Sequence, residues 1–300
     1  MTTALLCPGQ GSQAPGMLTA WLEFDGARDR LEQWSTRCGL DLVRLGTEAD
    51  AEEIQDTAIT QPLIVAASLL AFEYLPAEAG GDGPVAGHSV GELAAAAIAG
   101  VFSADDAVAL AAVRGAEMAK ACAAEPTSMA AVLLGEPERV VAWLHEQGLE
   151  AANRNGAGQI VASGSAEAID RIVAEPLEGT KVRQLKVAGA FHTHYMAPAE
   201  EAMRAHAGGI TPADPKRPLL SNADGEVVSS GKEYLRRLVE QVIRPVRWDL
   251  TMRGLASLGV TRTAELPPAG TLTGLVKREL KGTVTELVAL KTPANLEELR

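Results

Sequence analysis

Short apolar runs that end in glycine or proline alternate along the chain with longer segments whose apolar residues recur every three or four positions. The first pattern predicts buried strands and the second predicts helices, so their alternation indicates an α/β fold with a largely parallel sheet. We expect the first strand at residues 4–7 and further strands of the same sheet at 218–221 and near 263–266.

Two helices can be placed by their start signals. Thr60 is expected to cap a helix in which Pro62 lies early enough to be tolerated. Ser103 and Asp106 have the spacing of a capping box and predict the start of a second helix. Arg114 lies within that second helix.

The pattern changes between residues 127 and 187, where strand, helix, strand, strand, helix and strand follow one another. This order is typical of a ferredoxin-like unit. We therefore predict a small ferredoxin-like domain at 127–187, inserted into a large α/β hydrolase-like domain made of 1–126 and 188–300. A cleft between the two domains is a reasonable place for a substrate.

The segment Gly87-His88-Ser89-Val90-Gly91 follows a short apolar run and precedes a helical pattern. A serine between two glycines in this context is typical of a nucleophile elbow. The glycines allow the strand and helix to pack closely around a strained serine. The free N–H groups of the helix N-terminus would stabilise an oxyanion formed on a carbonyl that Ser89 attacks.

The composition of the chain limits the classes of protein to which it can belong. A chain of 300 residues that is 47% hydrophobic can bury one large core, or a core with a smaller satellite domain. The net charge of −12 argues against nucleic acid as a partner. The apolar run at 93–102 is shorter than the roughly 18 residues of a membrane span, and no basic export signal is visible. We expect a cytoplasmic protein.

Neither a disulfide framework nor a metal site is expected. The cysteines Cys7, Cys38 and Cys122 are widely spaced and form no CxxC pair.

A serine nucleophile needs a base, and the chain has five histidines. His88 should point away from Ser89 on a tight turn, while His145 and His206 lie in polar helical surroundings. His192 and His194 remain, and spacing alone does not choose between them. The late histidine of a lipase or esterase triad is absent, because none follows residue 206.

Several segments together resemble the malonyl-CoA:acyl-carrier-protein transacylases, the stand-alone acyltransferases of type II fatty-acid synthesis that are related to polyketide-synthase acyltransferase domains. These segments span almost the whole chain in the order of that family. They are PGQGSQ at 8–13, TQP at 60–62, GHSVGE at 87–92, RG at 114–115, NRNG at 153–156, GQIV at 158–161, GAFH at 189–192, PVRW at 245–248 and TLTGL at 271–275.

The resemblance implies a ping-pong acyl transfer. Ser89 would take the malonyl group from malonyl-CoA with His192 as general base, and the phosphopantetheine thiol of acyl carrier protein would then collect it. The backbone N–H groups of Gln10 and Val90 would form the oxyanion hole. No cofactor is implied, since malonyl-CoA is a substrate.

Three further roles follow from the resemblance alone. Arg114 would hold the free carboxylate of malonate. The backbone carbonyl of Gln241 would accept the Nδ1 proton of His192 and so orient the ring. Phe191 would crowd an α-methyl group and favour malonyl over methylmalonyl units, by about 1–3 kcal/mol.

The chain departs from the family pattern at two places near the segment that would orient the histidine. Arg244 replaces a common asparagine, and residues 265–270 stand where a Val-Gly-Pro-Gly-like loop is more usual. Both put the geometry of Gln241 in doubt.

The expected protein partner is an acidic carrier protein. We expect no nucleic-acid partner and no membrane partner, and we expect the chain to be a monomer. Its docking surface is predicted on a minority of basic residues near the cleft. They are Lys181, Arg183, Lys186, Lys277, Arg278 and Lys281.

Three alternatives stay open from the sequence. The acceptor of the malonyl group could be the carrier protein of a polyketide synthase, with this protein acting as a separate, trans-acting malonyltransferase. The protein could be a serine hydrolase that releases malonate to water, or a carrier-binding module without catalysis.

Overall fold

The computed structural model describes residues 2–76, 79 and 81–300. In chain order, its strands are β1 (Thr3–Cys7), β2 (Val85–Gly87), β3 (Thr127–Leu133), β4 (Glu150–Gly156), β5 (Gln159–Ser165), β6 (Lys181–Gln184), β7 (Arg262–Glu265) and β8 (Glu286–Ala289). Its α-helices are α1 (Ala27–Cys38), α2 (Leu42–Thr47), α3 (Thr57–Glu73), α4 (Gly91–Ile98), α5 (Ala104–Ala124), α6 (Pro137–Glu146), α7 (Ala166–Ala174), α8 (Ala197–Ala207), α9 (Gly231–Glu240), α10 (Trp248–Ser257) and α11 (Thr271–Glu279).

Short 3-10 helices connect some of these elements. They are Ala20–Glu23, Glu53–Gln55, His194–Met196, Gln241–Ile243 and Pro293–Leu299. Within the described ranges, we find no helix with both the length and the apolar character needed to cross a membrane.

A parallel sheet with the order β2-β1-β7-β8 forms the centre of the molecule. Leu5 in β1 pairs with Val85 on one side and with Ala264 on the other, and all three side chains are fully buried. The predicted α/β class with a parallel sheet is therefore confirmed. The segment 218–221 adds only a bridge from Leu219 to Val85, since just two backbone hydrogen bonds join it to the sheet.

A second, antiparallel sheet has the order β4-β5-β3-β6. Helices α6 and α7 pack on it through buried residues such as Leu144 and Ile169, which share an apolar cluster with Ala130 and Val132 of β3. The predicted succession of strand, helix, strand, strand, helix and strand is thus present in residues 127–187.

The start of α3 differs from the prediction. Asp56 caps this helix by accepting the N–H of Ala58 at 2.8 Å, so the helix begins before Thr60. The hydroxyl of Thr60 instead donates to the carbonyl of Ile54. Thr60 was wrong as the cap because an earlier carboxylate offers the stronger acceptor. Ser103 does cap α5, accepting the N–H of Asp106 at 3.0 Å.

On one side of the cleft, backbone hydrogen bonds join β4 to the segment that precedes α10. Val246 donates to the carbonyl of Ala152 at 2.8 Å and accepts the N–H of Arg154 at 2.9 Å. The turn after β4 is also held, because Glu279 of α11 accepts the N–H of Ala157 at 2.5 Å. These bonds tie the antiparallel sheet to the rest of the chain at this side of the cleft.

Candidate active site

A cavity of about 430 Å³ lies between the two sheets. Gln10 and Ser89, which follow the carboxyl ends of β1 and β2, line this cavity together with Asn155 of β4. Ser89, Arg114 and His192 all line this cavity. The structure thus brings residues from three distant parts of the chain to one place.

Ser89 lies on the sharp turn between β2 and α4, with a φ of 53°. This left-handed conformation is unusual for a residue with a side chain. The turn is possible because glycines lie two residues before and two residues after Ser89. A Cβ on Gly87 would lie 2.2 Å from the nitrogen of Glu92, and one on Gly91 would lie 2.2 Å from the carbonyl oxygen of Cys7. The predicted close packing of strand and helix is present.

His192 is the histidine that faces Ser89. Its Nε2 lies 2.8 Å from Ser89 Oγ, and its Nδ1 lies 2.8 Å from the backbone oxygen of Gln241. A carbonyl can only accept, so Nδ1 carries the proton and Nε2 is free to accept the serine proton. His192 is only 4% exposed, whereas His194 is exposed at the start of a 3-10 helix.

The other histidines lie elsewhere. The Nε2 atom of His88 lies 2.9 Å from Asn155 Oδ1, and its ring meets the edge of Trp248. His145 and His206 are exposed. Of the two histidines that the sequence left open, the structure places His192, and not His194, within hydrogen-bond distance of Ser89.

Burial and the nearby charge of Arg114 lower the pKa of His192 to about 3. The imidazole is therefore neutral at physiological pH, which is the form that accepts a proton.

Arg114 lies inside α5 and is only 2% exposed. Its Nη1 donates to Gln61 Oε1 at 2.7 Å, and its Nη2 donates to Gln241 Oε1 at 3.0 Å and to Ser89 Oγ at 3.2 Å. Burial lowers the pKa of Arg114 to about 10, so the guanidinium keeps its charge at neutral pH. These direct acceptors are neutral, which leaves the cation able to bind an anion in the cavity.

Two backbone N–H groups beside Ser89 have no acceptor among the described residues. They belong to Gln10, which follows β1, and to Val90, at the N-cap of α4. The side chain of Gln10 is held by Thr57 Oγ1 at 3.1 Å. The N–H of Ser89 itself is occupied, since it donates to Asn222 Oδ1 at 2.8 Å.

The chain is similar to known acyltransferases over nearly its whole length. The family model described as "Acyl transferase domain" matches residues 4–295. The malonyl CoA-acyl carrier protein transacylase of Mycobacterium tuberculosis (strain ATCC 25618 / H37Rv) is 55% identical over 299 residues, which cover 99% of this chain and 98% of the relative. The chain belongs to the malonyl CoA-acyl carrier protein transacylase family.

Solved structures of this family have the same fold. The crystal structure of MCAT from Mycobacterium tuberculosis has a TM-score of 0.95 at 54% identity and covers 100% of this chain and 99% of its own. A malonyl-transacylase solved in complex with a type II PKS acyl-carrier protein (PlMCAT:AntF) has a TM-score of 0.93 at 29% identity, over 100% of this chain and 99% of the other.

The two departures from the family pattern leave Gln241 in place. Gln241 begins a 3-10 helix, and its carbonyl also accepts the N–H of Arg244 at 3.2 Å. Phe191 is 7% exposed and lines the cavity, and its carbonyl accepts the hydroxyl of Ser163 at 3.0 Å.

Sequence reasoning missed three buried polar residues around the site. Gln61 and Glu92 lie inside motifs that resemble the family, but nothing in the sequence links them to Arg114 or Gln241. Asn222 follows the bridge at Leu219 and is 0% exposed. Its side chain accepts from Ser89 and donates to the carbonyl of Gly87 at 2.8 Å, so it holds the turn from both sides.

Replacing Gly91 by alanine should lower the free energy of unfolding by about 3 kcal/mol or more, because the new Cβ would overlap backbone that cannot move aside. Gly209→Ala is the matched control, since its Cβ would meet nothing closer than 3.6 Å at an exposed site. Chemical denaturation measures the free energy of unfolding of both variants. Equal stability of the two variants would contradict the packing described for the turn.

The lowered pKa of His192 predicts how stability depends on pH. The ring is neutral in the folded protein but takes a proton near pH 6.5 when unfolded, so stability falls as pH drops from 6.5 towards 3. The slope from this one group approaches about 1.4 kcal/mol per pH unit. His192→Gln should make the curve shallower between pH 6 and pH 5, measured by denaturant titration. Parallel curves, or NMR evidence of a protonated ring at pH 6, would contradict the buried neutral imidazole.

Proposed function

We propose that this protein transfers the malonyl group of malonyl-CoA to the phosphopantetheine thiol of an acyl carrier protein, through a malonyl ester on Ser89. The observation that carries the proposal is the placement of Ser89 Oγ within hydrogen-bond distance of both a neutral histidine and a buried guanidinium. The names of the relatives support it, since they are malonyl CoA-acyl carrier protein transacylases.

In the first half-reaction, His192 Nε2 takes the proton of Ser89 as its oxygen attacks the thioester carbonyl. The N–H groups of Gln10 and Val90 stabilise the oxyanion, because neither has an acceptor among the described residues and the α4 N-terminus adds positive potential. The tetrahedral intermediate collapses to the serine ester. The C–S bond breaks, and the imidazolium of His192 returns its proton to the CoA thiolate.

The second half-reaction runs the same steps in reverse order. His192 accepts the proton of the carrier thiol, whose sulfur attacks the malonyl-serine carbonyl. The serine C–O bond breaks and Ser89 regains its proton from His192. Gln241 keeps the ring in place throughout, because its carbonyl holds Nδ1 at 2.8 Å.

Arg114 supplies the selectivity for a diacid. Its cation binds the free carboxylate of the malonyl group while Gln61 fixes the other side of the guanidinium at 2.7 Å. An acetyl group offers no carboxylate and leaves the buried charge unpaired. Phe191 limits the space beside the substrate and favours malonyl over methylmalonyl units.

We also propose the finer domain description. The antiparallel sheet order supports a ferredoxin-like domain at 127–187. The elbow at the end of a parallel strand supports an α/β hydrolase-like domain made of 1–126 and 188–300. The cavity then lies between the two domains.

Intact mass spectrometry after exposure to acyl-CoAs tests the proposal. Malonyl-CoA should add one malonyl group to the wild-type protein and none to Ser89→Ala. Arg114→Ala should lower the rate of malonyl labelling by about 100-fold, because it removes a charged hydrogen-bonding partner, and should lower acetyl labelling much less. Labelling of Ser89→Ala at the wild-type rate would refute the nucleophile.

The same samples distinguish transfer from hydrolysis. The malonyl ester should persist in buffer and disappear when holo carrier protein is added, with the malonyl group recovered on the carrier. Loss of the ester to water at the same rate with and without carrier would show a malonyl thioester hydrolase instead.

The docking surface is tested separately. Lys277 and Arg278 are exposed at the end of α11, whose Leu272 and Leu275 line the cavity. Reversing both to glutamate should raise the apparent KM for an acidic carrier protein by about tenfold at low salt, while malonyl-CoA loading stays unchanged. Arg28→Glu with Arg37→Glu on α1 is the control with the same charge change. Equal effects of the two pairs would refute this surface.

A further inference from the structure

Glu92 is a buried carboxylate that no step of the mechanism uses. It lies in the first turn of α4, three positions after Ser89, and is 1% exposed. Its Oε1 accepts the N–H of Asn222 at 2.6 Å and the hydroxyl of Tyr234 at 3.2 Å. Its Oε2 accepts the side-chain N–H of Gln241.

Two of these three donors lead directly to the reacting groups. Gln241 accepts from Arg114 through its side-chain oxygen at 3.0 Å and from His192 through its backbone oxygen at 2.8 Å. Asn222 accepts the N–H of Ser89 at 2.8 Å. The carboxylate of Glu92 is therefore connected to Ser89, His192 and Arg114 through only one intervening residue in each case.

The side-chain amide of Gln241 has a defined orientation between two charges. Its nitrogen faces the carboxylate of Glu92 and its oxygen faces the guanidinium of Arg114. Turning the amide over would place the nitrogen against the cation and the oxygen against the carboxylate. Both contacts would then be repulsive, so the carboxylate, together with the Ser89 carbonyl that also accepts from this nitrogen at 3.2 Å, fixes which atom of Gln241 meets Arg114.

A purely structural explanation fits Glu92 less well. Burial raises the pKa of Glu92, but the three donors on its oxygens and the nearby charge of Arg114 favour the ionised form, so the group is held as a carboxylate that is costly to bury. Glu265 shows what a structural carboxylate looks like in this chain. It is also fully buried, but it accepts the N–H groups of Gly270, Leu272 and Thr273 at the start of α11.

We propose that Glu92 is a positioning residue for the malonyl-specific step, acting through the Gln241 side chain to hold Arg114 in the orientation that receives the substrate carboxylate. The inference rests on the proposed transfer reaction. A neutral amide at position 92 can donate as well as accept, so it no longer dictates the orientation of Gln241. Arg114 then loses a fixed acceptor beside Ser89.

The test compares the rates at which malonyl-CoA and acetyl-CoA acylate Ser89, measured by quenched-flow mass spectrometry on the full-length protein. Glu92→Gln should lower kcat/KM for malonyl-CoA by about tenfold to 100-fold, the range expected when a hydrogen bond to a charged group is lost. Acetyl-CoA, which has no carboxylate for Arg114, should change much less. The ratio of the two rates is the readout, because general loosening of the core would lower both together.

Tyr234→Phe is the matched control. It removes a donor to the same carboxylate and leaves the contacts of Gln241 intact, so the malonyl-to-acetyl ratio should stay at the wild-type value. Gln241→Met is the second variant, because it keeps the backbone carbonyl for His192 and removes only the side-chain amide. Gln241→Met should lower the malonyl-to-acetyl ratio as Glu92→Gln does. If Glu92→Gln does not fold, Gln241→Met alone tests the positioning role.

The outcomes separate this inference from the proposed function. Absence of malonyl labelling in the wild-type protein would refute the proposed transfer reaction itself. Wild-type labelling with an unchanged ratio in Glu92→Gln, or an unchanged ratio in Gln241→Met, would overturn the positioning role alone. Equal losses for both acyl-CoAs would also overturn it.

Discussion

The buried positive charge of Arg114 determines the electrostatics of the whole site. A guanidinium that is 2% exposed has lost most of its hydration, and the energetic cost of that loss is several kcal/mol unless fixed dipoles and charges replace the water. Here side-chain oxygens of Gln61 and Gln241 and the hydroxyl of Ser89 supply those dipoles. These groups are already oriented in the folded protein, so in the proposed reaction the substrate carboxylate meets a cation that needs no further rearrangement.

The fold places this charge by packing α5 closely against α3. Gly115, next to Arg114, approaches α3 so closely that a Cβ would lie 2.6 Å from the carbonyl of Thr57. The same approach brings Gln61 of α3 to the guanidinium. The backbone hydrogen bonds of Val246 to β4 tie the second sheet to the segment that precedes α10. The site is thus assembled by close backbone contacts between elements, and flexible side chains complete it.

The sequence predicted the parts of the site that depend on local pattern. The glycines around Ser89, the cap at Ser103 and the succession of elements in 127–187 each follow from residues close together in the chain. The sequence did not separate His192 from His194, because both lie in one short segment and only the folded chain shows which ring is buried. It did not reveal Asn222 or Glu92, whose contacts with Ser89 and Gln241 join residues 133 and 149 positions apart. Thr60 failed as a cap for a related reason, since a stronger capping carboxylate was available at Asp56.

In the proposed mechanism, the Arg114 cation weakens His192 as a base but attracts the carboxylate of the substrate. In the free protein, the field of Arg114 helps to keep the pKa of His192 low, which guarantees a neutral imidazole but makes it a weak base. A malonyl carboxylate bound to Arg114 cancels part of that field. His192 then becomes a stronger base when the correct substrate is in place, and its imidazolium is better tolerated in the transition state. An acetyl group brings no such charge, so the discrimination between acyl groups is made in the chemical step as well as in binding.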